Sequence, residues 1–318
     1  MKYAGLDISK NTIDVALKEA QNYQTAQFSN DSQGHKELSE WLKQHQTKHV
    51  CMEATGKYHL PIALHLSAHF KVSVENPLKI KKYNEITLKR TKTDKQDAKQ
   101  IADYCASIHP KLWQKPNEWQ LELNELLACQ QQLTEQRSSM KKRQHNTSQQ
   151  SSRISYQNII NALTEEIERI KKQIAKHIKS SPSQHQKHQR LQSINGIGEQ
   201  SATGILHYLE RHPFTNVKQY IAYLGLCPSE RTSGTSIKRK SSLTKYGHRR
   251  AKSYYFMPAL VAYRNNYYPN FIGRLKAKGK PKKVIIVALM RKLATIAYYL
   301  HKTESTFDAS RYCSKPAQ

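Results

Sequence analysis

Short apolar runs alternate with half-apolar stretches over the first 118 residues. Residues 3–8 make a compact apolar run, and residues 12–17 alternate and are rich in β-branched side chains. The pattern predicts two strands joined by a turn at Ser9-Lys10-Asn11. Residues 24–28 can form a third strand. Asp31-Ser32-Gln33-Gly34 then leads into a helix with Leu38, Trp41 and Leu42 on one face. Residues 49–53 read as a strand ending on Glu53. Residues 59–69 read as a helix with Leu60, Ala63, Leu64 and Ala68 inward, and residues 71–74 as a strand closed by Asn76-Pro77. Three strands followed by alternating helices and strands predict an α/β domain: a mixed sheet with helices on its faces. Its expected span is 1–118.

From residue 119 the period changes. Leu126, Leu133 and Met140 stand seven apart, and Ile160, Leu163, Ile167, Ile170 and Ile174 follow a three-four alternation. These are coiled-coil seams, separated by a polar stretch over 141–158. They predict two long helices joined by a polar bend, an arm over 119–182. An intramolecular hairpin and a dimerisation arm both fit. An apolar seam seldom stays solvated, which favours association into a homodimer or homotetramer. Residues 183–318 read as a mostly helical C-terminal domain. Gly196-Ile197-Gly198 opens a helix in the manner of a helix-hairpin-helix element, where backbone N–H groups can meet a phosphate. Residues 225–250 nearly lack apolar side chains and read as a solvated basic loop.

Charge narrows the choice of partner. The chain carries 52 Lys+Arg against 24 Asp+Glu, net +28. Residues 183–318 hold 24 of the bases and 5 of the acids, net +19, whereas residues 1–118 hold 18 and 13, net +5. A polyanion, most simply double-stranded DNA, is the expected partner of the last third. The residues expected to grip it are Gly196, Gly198, Arg231, Lys238, Arg239, Lys240, Lys245, Arg249 and Arg250. No apolar run reads as long as the roughly 18 residues a bilayer span needs, so no membrane is expected. Five scattered cysteines without a C-x-x-C predict reduced thiols and no zinc site. The expected localisation is cytoplasmic, on the bacterial nucleoid.

The candidate chemistry starts at Arg90-Thr91-Lys92-Thr93-Asp94-Lys95-Gln96-Asp97. Thr93 and Gln96 have the spacing of a capping box, so a helix should begin here. Asp94 and Asp97 would then point the same way and could meet one divalent cation. Acidic residues in a first turn also suit the helix dipole with no further role. Asp7 closes the first strand and Glu53 the fourth, and functional residues of such folds collect at strand ends. One site could gather all four carboxylates. Within the basic loop, a serine could serve as nucleophile among cations that hold a phosphodiester. Chemistry alone does not choose among its five serines.

Gly5-Leu6-Asp7-Ile8-Ser9-Lys10, Met52-Glu53-Ala54-Thr55-Gly56 and Lys92-Thr93-Asp94-Lys95-Gln96-Asp97-Ala98 resemble the three acidic motifs of the DEDD insertion-sequence transposases. That family includes the Piv-type DNA invertases and the bridge-RNA-guided recombinases. Ile194-Asn195-Gly196-Ile197-Gly198, Tyr223-Leu224-Gly225-Leu226-Cys227-Pro228, Ser233-Gly234 and Lys245-Tyr246-Gly247-His248-Arg249-Arg250 resemble its C-terminal domain. The resemblance implies a RuvC/ribonuclease H-like first domain. It makes Asp7, Glu53, Asp94 and Asp97 an acidic tetrad for one or two Mg²⁺, and Ser233 the nucleophile. The family's glycine-rich turn after the serine is replaced by Lys238-Arg239-Lys240-Ser241-Ser242, which keeps Ser236 as a second candidate. The implied activity is DNA cutting and rejoining, with a bridge-type guide RNA as a further partner. A Piv-type invertase, a RuvC-like nuclease using water, and a non-catalytic nucleic-acid-binding protein are the alternatives.

Overall fold

The computed structural model describes residues 2–56, 58–86, 94–233, 237–244 and 246–313, the side chains of 94, 230–233, 237–242 and 312–313 excepted. All statements below concern these residues. The chain divides into two compact units, Met1–Lys115 and Pro116–Gln318.

The first unit runs β1 (Tyr3–Ile8), β2 (Thr12–Glu19), β3 (Asn22–Ser29), α1 (Ser32–Gln44), β4 (His49–Glu53), α2 (His59–Leu66), β5 (Lys71–Glu75), α3 (Pro77–Ile86) and α4 (Asp94–Ile108). Its five strands form one sheet in the order β3-β2-β1-β4-β5. β1, β2 and β3 meander antiparallel, while β4 and β5 return parallel to β1. This mixed sheet is compatible with the RuvC-like arrangement. Both faces of its centre are covered, which is why β1 and β4 read as continuous apolar runs. On one face Leu6, Ile13, Val15, Val50 and Met52 pack with Leu38 and Leu42 of α1 and Ile62 and Leu66 of α2. On the other, Cys51 packs with Ile80, Ile101, Tyr104 and Cys105. β3 lies at the edge and alternates exposed and half-buried positions. Asp31 caps α1, its carboxylate accepting from the amides of Gln33 and Gly34 at 3.0 and 2.8 Å.

The second unit begins with α5 (Glu118–His145) and α6 (Gln150–Lys179). The pair packs within the chain: Leu123 and Leu127 of α5 bury against Ile170, Ile174 and Ile178 of α6. The bend between them is residues 146–149, much shorter than the polar stretch suggested. Gln144 closes it by donating to the Arg153 carbonyl and to Gln157 at 3.3 and 2.8 Å. The buried side of α5 also differs from expectation. Leu123 and Leu127 are buried, while Leu126 and Leu133 are only half-buried. The seam is therefore covered in cis and does not by itself call for a second copy.

The unit continues with α7 (Pro182–Gln192), α8 (Glu199–Arg211), α9 (Val217–Leu224), β6 (Pro228–Ser233), β7 (Ile237–Leu243), α10 (Arg249–Ser253), α11 (Phe256–Arg264), α12 (Pro269–Ala277), α13 (Lys282–Thr303) and α14 (Ser310–Cys313). The stretch expected to be a loop is instead the antiparallel hairpin β6–β7. Its strands carry hydroxyls and cations, so no apolar alternation marks them. α13 corrects a second expectation, since by length and composition it could cross a bilayer. Leu289, Leu293, Ala294 and Ala297 are fully buried on it, among the core of its own unit. It is built as a core helix.

Candidate functional site: a carboxylate corner and a basic hairpin

Asp7 and Glu53 are brought together by strand register. Leu6 pairs with Met52 across the parallel β1–β4 ladder, and each acid is the next residue along. Neighbouring strands lie about 4.8 Å apart, so the two backbones are adjacent at the same sheet end. Both side chains are half-buried.

α4 reaches the same corner because Gly5 lets it. A Cβ on Gly5 would stand 2.2 Å from the Ala102 amide nitrogen and 2.3 Å from the Ala98 carbonyl oxygen. Helix and strand backbones thus touch at the Gly5 position. The Tyr3 ring meets the His109 ring just past the C-terminus of α4, with centroids 5.5 Å apart. So α4 runs antiparallel to β1, and its N-terminus lies toward Asp7. From Gly5 to Asp7 is about 6.6 Å along the strand. The same distance along a helix is about four residues, which leads from the Ala98–Ala102 contact back to the turn of Gln96 and Asp97. Asp94 is the first residue of α4. The capping residues before it, and its own side chain, lie outside the described residues.

A second contact fixes α4 sideways. Asp103 accepts from Lys18 Nζ at 2.6 Å and from the Tyr23 hydroxyl at 2.5 Å. Burial works against the Lys18 charge, but the Asp103 carboxylate holds its pKa above the ordinary value. The sequence reading missed Glu75, which pairs with Glu53 in the β4–β5 ladder. Glu75 is buried and its carboxylate meets Lys79 Nζ at 2.7 Å. The predicted strand stopped at Val74, one residue short of it.

The Gly5 contact makes a sharp prediction. Gly5→Ala should cost about 2–3 kcal/mol, because the added methyl must push α4 away from the sheet. Chemical denaturation of the full chain would measure it. A change below about 0.5 kcal/mol would contradict the close approach.

In the second unit, Ser233 is the last residue of β6 and pairs with Ile237; Arg231 pairs with Arg239 and Thr232 with Lys238. The backbone register thus sets Ser233 at the end of β6 opposite the first residue of β7, within a strand pair rich in cations. Residues 234–236 and Lys245 lie outside the described residues, as do the side chains of Arg231, Ser233, Lys238, Arg239 and Lys240. The base of the hairpin is clamped. The Thr244 amide donates to the Cys227 carbonyl at 3.1 Å, and the His248 amide to the Tyr223 carbonyl at 2.7 Å. Gly225 and Gly247 both have positive φ and their backbones touch: a Cβ on Gly247 would lie 2.4 Å from the Gly225 Cα. That contact excludes any side chain at either position.

His248 caps α10, its Nδ1 accepting from the Ala251 amide at 3.1 Å. Burial, then Arg211 and Arg250, depress its pKa. Burial and the same arginines push His207 down to about 3, and burial and Arg211 push His212 down to about 4. Near neutral pH His207 and His212 are uncharged. The positive charge at α10 therefore comes from Arg249, which is exposed, from Lys252, and from Arg250, whose guanidinium donates to the Leu127 carbonyl. Gly198 is the exposed N-cap of α8 and Gly196 lies in the turn before it.

Hard oxygen donors alone occupy the carboxylate corner positions, which suits Mg²⁺ in donor type. Among the described residues no three His, Cys, Asp or Glu side chains are gathered as a ready ligand set.

A two-unit chain with acids at one corner of a mixed sheet and a cationic hairpin elsewhere has the parts of a nucleic-acid-processing protein. Comparison with known proteins gives the family. Residues 4–151 match a transposase model of the DEDD, IS110 type, and residues 188–272 match the model described as transposase IS116/IS110/IS902 family. The chain is 35% identical over 314 residues to the pilin gene-inverting protein of Moraxella bovis, covering 96% of this chain and 97% of that one. The pilin gene-inverting protein of Moraxella lacunata is similar to the same degree. The chain belongs to this transposase family.

Proposed function

We propose that the chain is a DNA recombinase that cuts and rejoins phosphodiester strands, with Asp7, Glu53, Asp94 and Asp97 as an acidic tetrad and Ser233 as nucleophile. The observation that supports the reading is the Leu6–Met52 register, which sets Asp7 and Glu53 side by side, with the Gly5–α4 contact, which brings the start of α4 toward the same sheet end. Mg²⁺, one or two ions held by the tetrad, would supply charge neutralisation at the scissile phosphate. The Ser233 hydroxyl attacks phosphorus, an Oγ–P bond forms and the bond to the leaving strand oxygen breaks. The serine proton ends on that oxygen. A strand hydroxyl then attacks the phosphoserine, restoring the serine and joining the new strand. Bond energy is conserved in the intermediate, so no nucleotide cofactor is needed. Arg231, Lys238, Arg239, Lys240 and Lys245 hold the phosphodiester around the serine, and Arg249 and the Gly196–Gly198 turn take flanking phosphates.

The acids and the serine belong to different units, which is compatible with a composite site shared between copies of a homodimer or homotetramer. A bridge-type guide RNA is a further proposed partner, and sequencing RNA that co-purifies with the chain tests it. The names of the two Moraxella relatives favour inversion of a DNA segment as the outcome of the same chemistry. A plasmid carrying a candidate segment between inverted ends separates inversion from excision and insertion by product size.

Duplex binding should fall steeply with salt. If about six phosphates are contacted, affinity drops on the order of 10³-fold between 50 and 200 mM salt through counterion release. Fluorescence anisotropy across that range measures the slope. A flat response would contradict the charge-based grip.

A further inference from the structure

A concave groove of about 700 Å³ lies within the second unit, where α5, α6, α8 and α10 meet. Its lining residues all belong to the second unit and include neither the proposed acids nor Ser233. Arg137, Lys171, Arg249 and Arg250 line it against a single acid, Glu135. Glu135 is already engaged, accepting from the Gln131 amide at 2.6 Å. The four cations come from three helices, so the charge is convergent and does not form a one-faced stripe. Leu127 and Ile167 contribute an apolar floor.

Two further features set this groove apart from a surface that only holds a backbone. The first is Tyr254. Its ring is seated on α8 at Gly204, where a Cβ would come within 2.3 Å of it, and it stands 6.2 Å from the Tyr208 ring. The ring is thus fixed by its neighbours and half-exposed beside the groove. The second is a set of amides, Gln130, Gln131 and Gln200, that offer donors and acceptors on the wall. Duplex phosphates need cations on an open face. An unpaired nucleotide needs cations for its phosphate, an aromatic face for its base, and amides for its base edge. A cleft of this size also suits one or two nucleotides and excludes a double helix.

We infer that this groove holds an unpaired nucleotide of a single-stranded nucleic-acid segment, its phosphate between Arg137, Lys171 and Arg249 and its base toward Tyr254 and the glutamines. The inference rests on the proposed recombinase reading and extends it: the basic hairpin handles duplex DNA, Arg249 at the groove serves both, and the groove captures strand that is extruded or looped out. The helical pair α5–α6 is then part of the nucleic-acid surface as well as a packed hairpin. Arg250 serves both, tying α10 to the Leu127 carbonyl while facing the groove.

The test measures binding of the full chain to an unstructured 12-nucleotide strand, as DNA and as RNA, and to a duplex of equal length. The first variant is Arg137→Glu with Lys171→Glu. Neither residue sits in a core; Arg137 donates to Thr164 at 3.5 Å and Lys171 pairs with Glu168 at 2.7 Å. The second is Gln131→Ala with Gln200→Ala, which leaves every charge in place. Thermal melting confirms folding of both.

The charge-reversed variant should lose about tenfold or more for the strand and less than about threefold for the duplex. The glutamine variant should lose about threefold for the strand with an unchanged salt slope, since amides meet bases and not phosphates. Tighter binding of the RNA or of the DNA strand names the sugar, and either supports the groove. Equal losses on strand and duplex, or no strand loss in either variant, would overturn it. If the wild-type chain binds no duplex at all, the recombinase reading fails first. If duplex binding and recombination survive while strand affinity ignores both variants, only the groove assignment fails.

Discussion

Asp7→Ala is expected to abolish strand cutting and rejoining, lowering the rate by at least about 10³-fold, while the protein folds and binds duplex DNA as before. Asp7 is half-buried at the end of β1 and contributes nothing to the apolar layer that Leu6 and Ile8 build on the opposite face. Its loss should cost little stability. The proposed loss comes from removing one hard anionic ligand from the proposed tetrad. The proposed polyanion grip lies in the second unit, so affinity should not change. Asp7→Asn sharpens the test: it keeps the shape and hydrogen-bonding capacity and removes only the charge, and it should be equally inactive. Recombination of a supercoiled plasmid, anisotropy and thermal melting together read all three quantities. Near wild-type turnover in either variant would remove Asp7 from the site.

Ser233→Ala should be as severe, again by at least about 10³-fold, but with a different signature. Without the hydroxyl no Oγ–P bond forms, so both joined products and the covalent intermediate disappear. Slow hydrolytic nicking by the carboxylate corner could persist, because the tetrad is intact. Ser236→Ala, three residues on, should retain activity. The reverse pattern, with Ser236 essential and Ser233 dispensable, would move the nucleophile across the turn. The clamp at the hairpin base offers a reason why register matters. Gly225 precedes β6 and Gly247 follows β7, so their contact ties together the open end of the strand pair and with it the register that sets Ser233 opposite Ile237.

Much of the first unit was legible in the sequence. β1 and β4 read as strands because the sheet is covered on both faces and their apolar runs are unbroken. β2 announced itself through β-branched alternation. Every strand lies where the pattern put it, with β2, β3 and β5 one to three residues longer at an end. What the pattern could not supply was the tertiary contact at Gly5, since a glycine in a strand has many possible causes.

The second unit was read less well, for physical reasons. β6 and β7 carry Ser, Thr, Arg and Lys, so neither periodicity nor propensity marks them. Leu126 and Leu133 of the predicted heptad do pack against the α5–α6 cluster, but Leu123 and Leu127 take its centre, since α5 packs against α8 as well as α6. The polar bend was overestimated because Gln and Ser lower helix propensity only modestly. Asn146 ends α5 and Gln149 precedes α6, a bend of four residues. The basic groove was invisible in advance: Arg137, Lys171 and Arg249 lie far apart in the chain and meet only in the fold.

The division of labour between acids and serine is best tested by trapping the intermediate. The full chain would be incubated with Mg²⁺ and a suicide substrate whose departing strand is too short to return, then digested and its peptides sequenced by mass spectrometry. The expected result is a peptide carrying a nucleotide on Ser233, present in the wild type and absent from Asp7→Ala. Cleaved DNA with free phosphate and hydroxyl ends and no protein adduct would contradict it, and would leave a water-using nuclease in its place.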